Sequence, residues 1–230
     1  MKKQIAFLLM LLMLLPLATS CGGERYSLLY STEESGITYC VRGRGDRPKQ
    51  ILAKQGEEIL WSSAVKVARG TGDFEGSYGL EILDLNFDGK LDVMIPTDKK
   101  GDRTAYACWL QNDDGNGYTY SEELSALYNV KADPLRLAVF GFAQTSVTKT
   151  DKYGVDYAAS VDTTTKYVWR GGKLIPQIRV SLTHYPPEDK YCYSVSYYDE
   201  STGEFNDPDD VWMTSEERAE TDFGFLYYFR

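Results

Sequence analysis

The chain has 230 residues and is acidic, with 34 aspartates and glutamates against 25 lysines and arginines and a formal net charge of −9. This balance repels the phosphate backbone of DNA and RNA, so nucleic acid is excluded as an expected partner. The length suits one large β domain or two small ones, and no Pro-, Gly- or Ser-rich linker divides the chain, so we expect a single domain.

The first twenty residues have the pattern of a secretory signal peptide. Lys2 and Lys3 precede an apolar run over residues 5–17, and the small residues 18–20 lead directly into Cys21. The segment resembles the signal of bacterial lipoproteins, whose cysteine carries the lipid. An ordinary cleaved signal or an uncleaved anchor is the alternative, although the apolar run is too short to span a bilayer comfortably.

This segment sets the expected layout and location of the chain. Acyl chains on Cys21 would hold the protein on a membrane, because each buried methylene group contributes about 0.8 kcal/mol. We therefore expect a membrane-anchored protein of the bacterial cell envelope that faces the periplasm or the exterior. The expected parts are a signal peptide at residues 1–20, a lipidated cysteine with a short tether at residues 21–25, and a single β-rich domain at residues 26–230.

Beyond the signal, apolar and polar residues alternate in many short segments that Gly, Asp and Asn separate. This alternation is typical of antiparallel β structure, and long stretches with helical periodicity are scarce. The predicted strands cover residues 27–30, 37–41, 50–53, 58–62, 80–84, 92–95, 105–111, 135–142, 166–169, 174–182, 191–198 and 223–229.

Residues 84–92 carry the strongest chemical signal in the chain. Their oxygen-bearing side chains are Asp84, Asn86, Asp88 and Asp92. Calcium takes about six to eight oxygen ligands, and these side chains with the carbonyl of Lys90 would supply most of that shell, while Gly89 permits a sharp turn. The glutamate that closes an EF-hand is missing, since that position is Ile95, and the flanks are strand-like. We therefore predict a structural Ca2+ ion in a loop between two strands.

Turn residues connect the later strands. Gly171 and Gly172 can both take positive φ, as a tight type I′ hairpin between their flanking strands requires. The polar loop 112–117 is interpreted as another hairpin, because its oxygens lack the alternating spacing seen at residues 84–92.

Helical patterns are confined to residues 121–127 and 214–219. In both segments a hydroxyl side chain precedes acidic residues, which suits the start of a helix, but neither pattern exceeds one or two turns. The expected fold is therefore mainly β: an antiparallel β-sandwich or strongly twisted sheets, with one calcium-loop hairpin and one or two short helices.

Residue types that support catalysis are sparse. His184 is the only histidine in the sequence, and no Gly-x-Ser-x-Gly pattern accompanies it, so a Ser-His-Asp triad is not expected. Zinc-ligand spacing and phosphate-binding motifs are missing too. Cys40, Cys108 and Cys192 lie beside aromatic residues and are expected to be buried thiols; one disulfide with a free thiol, or no disulfide, are both open. We expect a protein that is not an enzyme.

The segment around the loop resembles a β-rich family of bacterial envelope proteins that includes calcium-binding immunity proteins against lysozyme-like toxins. The resemblance covers about residues 75–182. Its shared features, in chain order, are the loop at residues 83–93, Tyr106, Trp109, Gly115, Tyr118, Glu122-Glu123-Leu124-Ser125, Leu127, Asn129, Asp133-Pro134 and the hairpin from Tyr167 to Leu174. The family is similar in fold to periplasmic inhibitors of invertebrate-type lysozyme, which push a loop into the acidic cleft of the enzyme.

This resemblance implies a lipid-anchored, extracytoplasmic calcium-binding protein that binds and inhibits a cell-wall hydrolase, with a muramidase or lysozyme-like toxin as its protein partner. An acidic surface suits basic lysozymes. The 18 tyrosines and 4 tryptophans favour an alternative, a non-catalytic surface glycan-binding or envelope assembly module. A hydrolase that uses paired carboxylates is a third hypothesis and the least favoured, because such pairs converge only in the fold.

Overall fold

The structure, a computed structural model, describes residues 26–68 and 77–220 of the chain. The expected signal peptide, Cys21 and the predicted strand at residues 223–229 lie outside these described residues. Within them, no helix has the length and apolar character that crossing a membrane requires.

The first sheet is an antiparallel meander at the start of the described chain. Its strands are β1 (Ser27–Glu34), β2 (Ile37–Arg44), β3 (Arg47–Gln55) and β4 (Glu58–Ala64). Successive side chains of a strand point to opposite faces, so alternate residues share one face of the sheet. That face buries Tyr39 and Val41 from β2 and Ile51 and Ala53 from β3, all fully inaccessible to solvent.

The second sheet takes up the remaining described strands. They are β5 (Glu81–Leu83), β6 (Asp92–Lys100), β7 (Arg103–Gln111), β8 (Tyr118–Tyr120), β9 (Tyr128–Asp133), β10 (Ala138–Thr150), β11 (Asp156–Arg170), β12 (Lys173–Tyr185), β13 (Lys190–Asp199), β14 (Glu204–Phe205) and β15 (Asp209–Thr214). Their spatial order is β14-β13-β12-β11-β10-β9-β7-β6-β5, with β15 beside β13 and β8 beside β7. Most strands therefore pair with a neighbour in sequence.

The two predicted helices are confirmed as short elements, α1 (Glu122–Ser125) and α2 (Ser215–Glu220), and a 3-10 turn covers Pro186–Glu188. The Ser121 hydroxyl accepts a hydrogen bond from the backbone N–H of Leu124 at the start of α1, at 3.3 Å. At α2, Thr214 and Glu217 form a reciprocal capping box, in which each side chain accepts from the other residue's backbone N–H.

The two sheets pack against each other through a mixed aliphatic and aromatic core. Its buried members include Tyr39 and Ile51 from the first sheet and Val93, Ile95 and Trp109 from the second. The Trp61 ring of β4 lies 5.5 Å from the ring of Trp109 and 4.9 Å from that of Tyr118. Face-to-face packing of this kind defines a β-sandwich, so the mainly β, antiparallel expectation is confirmed.

A second core lies on the opposite face of the second sheet. Met94 of β6 and Cys108 of β7 point away from the first sheet and pack with Leu124 of α1 and Val139 of β10. Leu85, the second residue of the predicted calcium loop, is fully buried in the same cluster. The loop is thus fixed to the interior of the molecule by an apolar side chain.

The predicted tight hairpin at Gly171 and Gly172 is confirmed. Both glycines take positive φ, 56° and 75°, and they join β11 to β12 with Arg170 paired to Lys173. The strand predicted over residues 135–142 begins instead at Ala138. The Asp133 carboxylate accepts hydrogen bonds from the backbone N–H groups of Leu135 and Arg136. The turn that results takes the place of extended chain at residues 135–137.

The thiols of Cys40, Cys108 and Cys192 are all buried, and none of the described cysteines forms a disulfide. The sequence left open one disulfide with a free thiol or no disulfide, and the structure has no disulfide among these three cysteines. Burial raises the pKa of the Cys108 thiol to about 12, although a hydrogen bond with Ser125 opposes the rise. A thiol in this state is a packing group rather than a nucleophile.

Candidate metal centre

The loop 84–92 closes the antiparallel pair β5 and β6, in which Leu83 lies opposite Asp92. Phe87 and Gly89 both take left-handed backbone angles, with φ of 61° and 83°. The indole N–H of Trp169, on β11, donates to the carbonyl of Leu85 at 2.8 Å. A strand distant in sequence therefore holds the loop in place from the side of the second core.

Asp84 and Asn86 direct oxygens toward the same backbone group. The Asp88 N–H lies 3.2 Å from Asp84 Oδ1 and 3.3 Å from Asn86 Oδ1, and the Gly89 N–H donates to Asp84 Oδ2 at 2.8 Å. A carboxylate or amide oxygen has two lone pairs, so these oxygens keep acceptor capacity after the contacts. The structure thus brings these two predicted ligands together on one side of the loop.

Asp88 is the third member of this group. Its Oδ1 accepts from the Lys90 N–H at 2.9 Å, and its Oδ2 accepts from Asn86 Nδ2 at 3.1 Å and from Lys90 Nζ at 3.2 Å. Partial burial disfavours the charged carboxylate, but these hydrogen bonds and the Lys90 charge outweigh it and lower the pKa of Asp88. The carboxylate is therefore ionised, as a metal ligand must be.

The side chain of Lys90 makes contacts that the sequence did not predict. The prediction concerned its carbonyl, but its ammonium group contacts Asp88 and lies 2.6 Å from Asp113 Oδ1 in the hairpin loop 112–117. Both contacts are solvent-exposed and add little to stability. They do connect the candidate metal loop with the loop between β7 and β8.

Asp92 is set apart from the other predicted ligands. It is fully buried, and its two oxygens accept from the backbone N–H of Leu85 at 2.7 Å and of Gln111 at 2.8 Å. Burial raises the pKa of Asp92 to about 6; the two hydrogen bonds oppose this rise, and the charges of Asp88 and Asp84 add to it. Asp92 therefore fastens the loop to β7 from inside.

The residues present fit a hard divalent cation by their chemistry. Asp84, Asn86 and Asp88 offer oxygens with acceptor capacity left, and three carboxylates in nine residues leave negative charge that Lys90 alone does not balance. In residues 26–68 and 77–220, however, no three or more His, Cys, Asp and Glu side chains are grouped closely enough to hold a metal ion. Calcium at this loop stays a prediction.

A second candidate site, which the sequence did not predict, is a cleft of about 470 Å³ between the sheets. One wall is the end of β4 with the two residues that follow it, and the other is formed by β6, β7 and β8 with the end of α1. Trp109, Tyr106 and the half-exposed Tyr120 supply aromatic surface. The lining also includes the hydroxyl groups of Ser63, Thr97 and Ser125 and the amine of Lys66. The aromatic content of the sequence was the available signal, but it does not tell which rings face solvent.

Comparison with known proteins adds information on the fold. No family model and no curated protein matches the chain. A solved structure described as a Xanthomonas type IV secretion system related protein is similar, with a TM-score of 0.50 and 13% sequence identity. The similarity covers 80% of this chain and 96% of that chain. At such low identity it establishes a shared architecture.

Proposed function

We propose that the chain is a lipid-anchored, calcium-binding β protein of the bacterial envelope that binds and inhibits a lysozyme-like cell-wall hydrolase. The observation that carries the proposal is the loop 84–92, whose Asp84, Asn86 and Asp88 oxygens lie on one side of a turn fixed at both ends. This loop lies within the segment that resembles calcium-binding immunity proteins. The similar solved structure is described as a type IV secretion system related protein, and this description is compatible with a location at the cell envelope.

The chain's own residues prepare the loop for an ion. Asp84, Asn86 and Asp88, with the Lys90 carbonyl, would hold calcium, which when bound would neutralise their charge. Asp92 positions the start of β6 against β7 through its hydrogen bonds to Leu85 and Gln111. The loop would thereby be rigid before the partner arrives, and a rigid surface loses less entropy on binding.

Charge favours the proposed partner. The chain carries a formal net charge of −9, and many lysozymes are basic, so long-range attraction would speed their encounter. Inhibition needs no catalytic group in this chain, only a surface that covers the active site of the enzyme.

The test is an assay of cell-wall lysis. The full chain is mixed with lysozymes of several structural types, including the invertebrate type, in calcium and in chelator, and the clearing of a cell-wall suspension is followed. We expect a stoichiometric loss of lysis with at least one enzyme. Undiminished lysis by every enzyme at an excess of the protein would refute the inhibitory function.

A second candidate function is non-catalytic glycan binding, and the cleft between the sheets favours it. Sugar rings stack their C–H faces on aromatic rings, and Tyr120 presents such a ring with 50% of its surface exposed. The ring of Trp109 lies 5.8 Å away, and the hydroxyl groups of the lining can bond to sugar hydroxyls.

Calorimetric titration with soluble cell-wall oligosaccharides tests this candidate. Tyr120→Ala should remove the binding, whereas Tyr153→Ala, at an exposed tyrosine in the turn between β10 and β11, should leave it intact. No heat of binding with the wild-type chain, or equal loss in both variants, would eliminate the cleft as a sugar site.

A further inference from the structure

The first sheet carries positive charge at one of its ends. The turn between β2 and β3 places Arg44 opposite Arg47, and the Val65 N–H donates to the Lys49 carbonyl at 2.9 Å, which brings the chain after β4 to the same place. We call the following five residues the basic end: Arg42, Arg44, Arg47, Lys49 and Lys66. Asp46, in the turn, is the acidic residue among them.

The other end of the same sheet is acidic. The turns between β1 and β2 and between β3 and β4 both lie there, since Glu34 pairs with Ile37 and Gln55 with Glu58. The charged residues at this end are Glu33, Glu34, Glu57, Glu58 and Lys54. Positive and negative charge are thus separated along the strands of one sheet, within a chain that is acidic as a whole.

The described chain begins at the basic end. Ser27, the first residue of β1, pairs with Gly43 and donates its hydroxyl to the Gly43 carbonyl at 3.1 Å. The Arg42 guanidinium donates to the Tyr26 carbonyl at 3.0 Å. Cys21 precedes Tyr26 by five residues, and an extended chain covers at most roughly 3.5 Å per residue. A lipid on Cys21 would therefore lie within about 18 Å of the basic end.

We propose that the basic end of the first sheet docks on anionic phospholipid headgroups and so sets the orientation of the protein on its membrane. The proposal rests on the lipid anchor at Cys21, which is part of the proposed function. The anchor supplies the attachment, and the basic end determines which side of the protein faces the bilayer.

The chemistry of the two surfaces matches. Arginine guanidinium groups bind phosphate oxygens through two parallel hydrogen bonds, and basic residues close to an anionic membrane are attracted to it. Screening confines this attraction to about 8 Å at physiological salt, so only the side held near the bilayer takes part. The acidic end of the sheet is repelled by the same headgroups and faces away.

The experiment uses the intact lipidated protein on two kinds of vesicle. One is phosphatidylcholine alone, and the other contains phosphatidylcholine and phosphatidylglycerol in equal parts. Hydrogen exchange in the turn between β2 and β3 is measured by mass spectrometry. We expect several-fold slower exchange on the anionic vesicles at low salt, and no difference between the two vesicles at high salt.

Two charge reversals on the same strand form a matched pair. Arg47→Glu lies at the basic end of β3 and Lys54→Glu near its acidic end, and both change the net charge equally. Arg47→Glu should abolish the slower exchange and Lys54→Glu should keep it. Slow exchange of buried β2 amides, such as those of Tyr39 and Val41, confirms that each variant is folded. Equal hydrogen exchange on the two kinds of vesicle, or equal behaviour of the two variants, would overturn the proposal.

The anchor is tested separately. Acyl chains are detected in the mass of the N-terminal peptide, and an anchored protein floats with phosphatidylcholine vesicles. If it does not, the anchor is refuted, and flotation of the same protein with anionic vesicles becomes the readout for the basic end. Arg47→Glu should then weaken this flotation on the order of 10-fold. Failure to float with either vesicle would refute the basic-end proposal as well.

Discussion

Asp92 is fully buried and accepts hydrogen bonds from the backbone N–H groups of Leu85 and Gln111. In Asp92→Asn, one of these N–H groups would face an amide NH2 rather than an oxygen. We expect this variant to lose about 1–3 kcal/mol of unfolding free energy, measured by urea denaturation. Asp113→Asn, at an exposed carboxylate, should keep the wild-type midpoint; if the two variants are equally stable, Asp92 does not fasten the loop.

The raised pKa of Asp92 makes stability depend on pH in a defined direction. Its folded pKa of about 6 exceeds the ordinary value of about 4, so the folded state binds more protons between these limits. In chelator, its contribution to stability should therefore be greatest near pH 4 and fall by about 1–3 kcal/mol as the pH rises to about 6. The measurement is the unfolding free energy of the wild type minus that of Asp92→Asn across this range. A constant difference would contradict the assignment.

Two tyrosine hydroxyls meet inside the sandwich. Tyr39 of β2 and Tyr118 of β8 share a buried hydrogen bond of 2.8 Å that connects the two sheets. Replacing either tyrosine by phenylalanine leaves the other hydroxyl without this partner, at a cost of about 1–2 kcal/mol. The double variant should lose less than the sum of the single variants in urea denaturation. Strictly additive losses would mean that the bond does not couple the sheets.

The loop 84–92 affects stability at the scale of the β5–β6 pair. Extracellular calcium sites bind with dissociation constants of roughly 10⁻⁴–10⁻³ M, so millimolar calcium should stabilise the folded chain by about 1 kcal/mol. Asp88→Ala removes one ligand and three hydrogen bonds. We therefore expect this variant to show no calcium binding by calorimetry and no change of its melting temperature with calcium. An unchanged melting temperature of the wild type in saturating calcium would refute a structural ion.

A bulge in β3 lies opposite a glycine of β2. The register of β2 against β3 shifts between Arg42 and Gly43, and a Cβ atom on Gly43 would lie 1.9 Å from the Arg47 carbonyl oxygen. Gly43→Ala should therefore cost more than about 2 kcal/mol, because backbone must move to admit the methyl group. Gly36→Ala is the matched control; Gly36 has positive φ but no heavy atom near its Cβ position, so we expect only about 1 kcal/mol. Thermal melting of both variants ranks the costs.

The sequence predicted elements well where alternation or turn chemistry was strong. Gly171 and Gly172 located a hairpin to the residue, and the hydroxyls before acidic runs located both helices. The outer halves of β10 and β11 were not predicted, because residues such as Thr148 and Ser160 are polar and exposed and show no apolar alternation. Leu135 was placed in a strand because it is apolar, yet it is 93% exposed in a turn made by Asp133.

At the scale of the whole molecule, the sequence could not show which distant groups meet. It identified the residues of the candidate calcium loop. It could not show that Asp92 accepts from the backbone N–H of Gln111, nineteen residues later in the sequence, or that Trp169 donates to Leu85, 84 residues earlier. The cleft between the sheets and the separated charges of the first sheet arise in the same way. Both depend on register and packing, which local patterns do not encode.

Folding of the second sheet can proceed hairpin by hairpin. From β9 to β13 each strand pairs with the next one in sequence, across turns of a few residues, so each pairing closes a short loop at small entropic cost. Chains rich in such local contacts fold faster than sandwiches built from distant pairings. The union of the two sheets joins residues farther apart, such as Tyr39 and Tyr118, so we expect it to be the slower step. A chain that crosses a membrane unfolded would thus regain much of its structure before its two sheets meet.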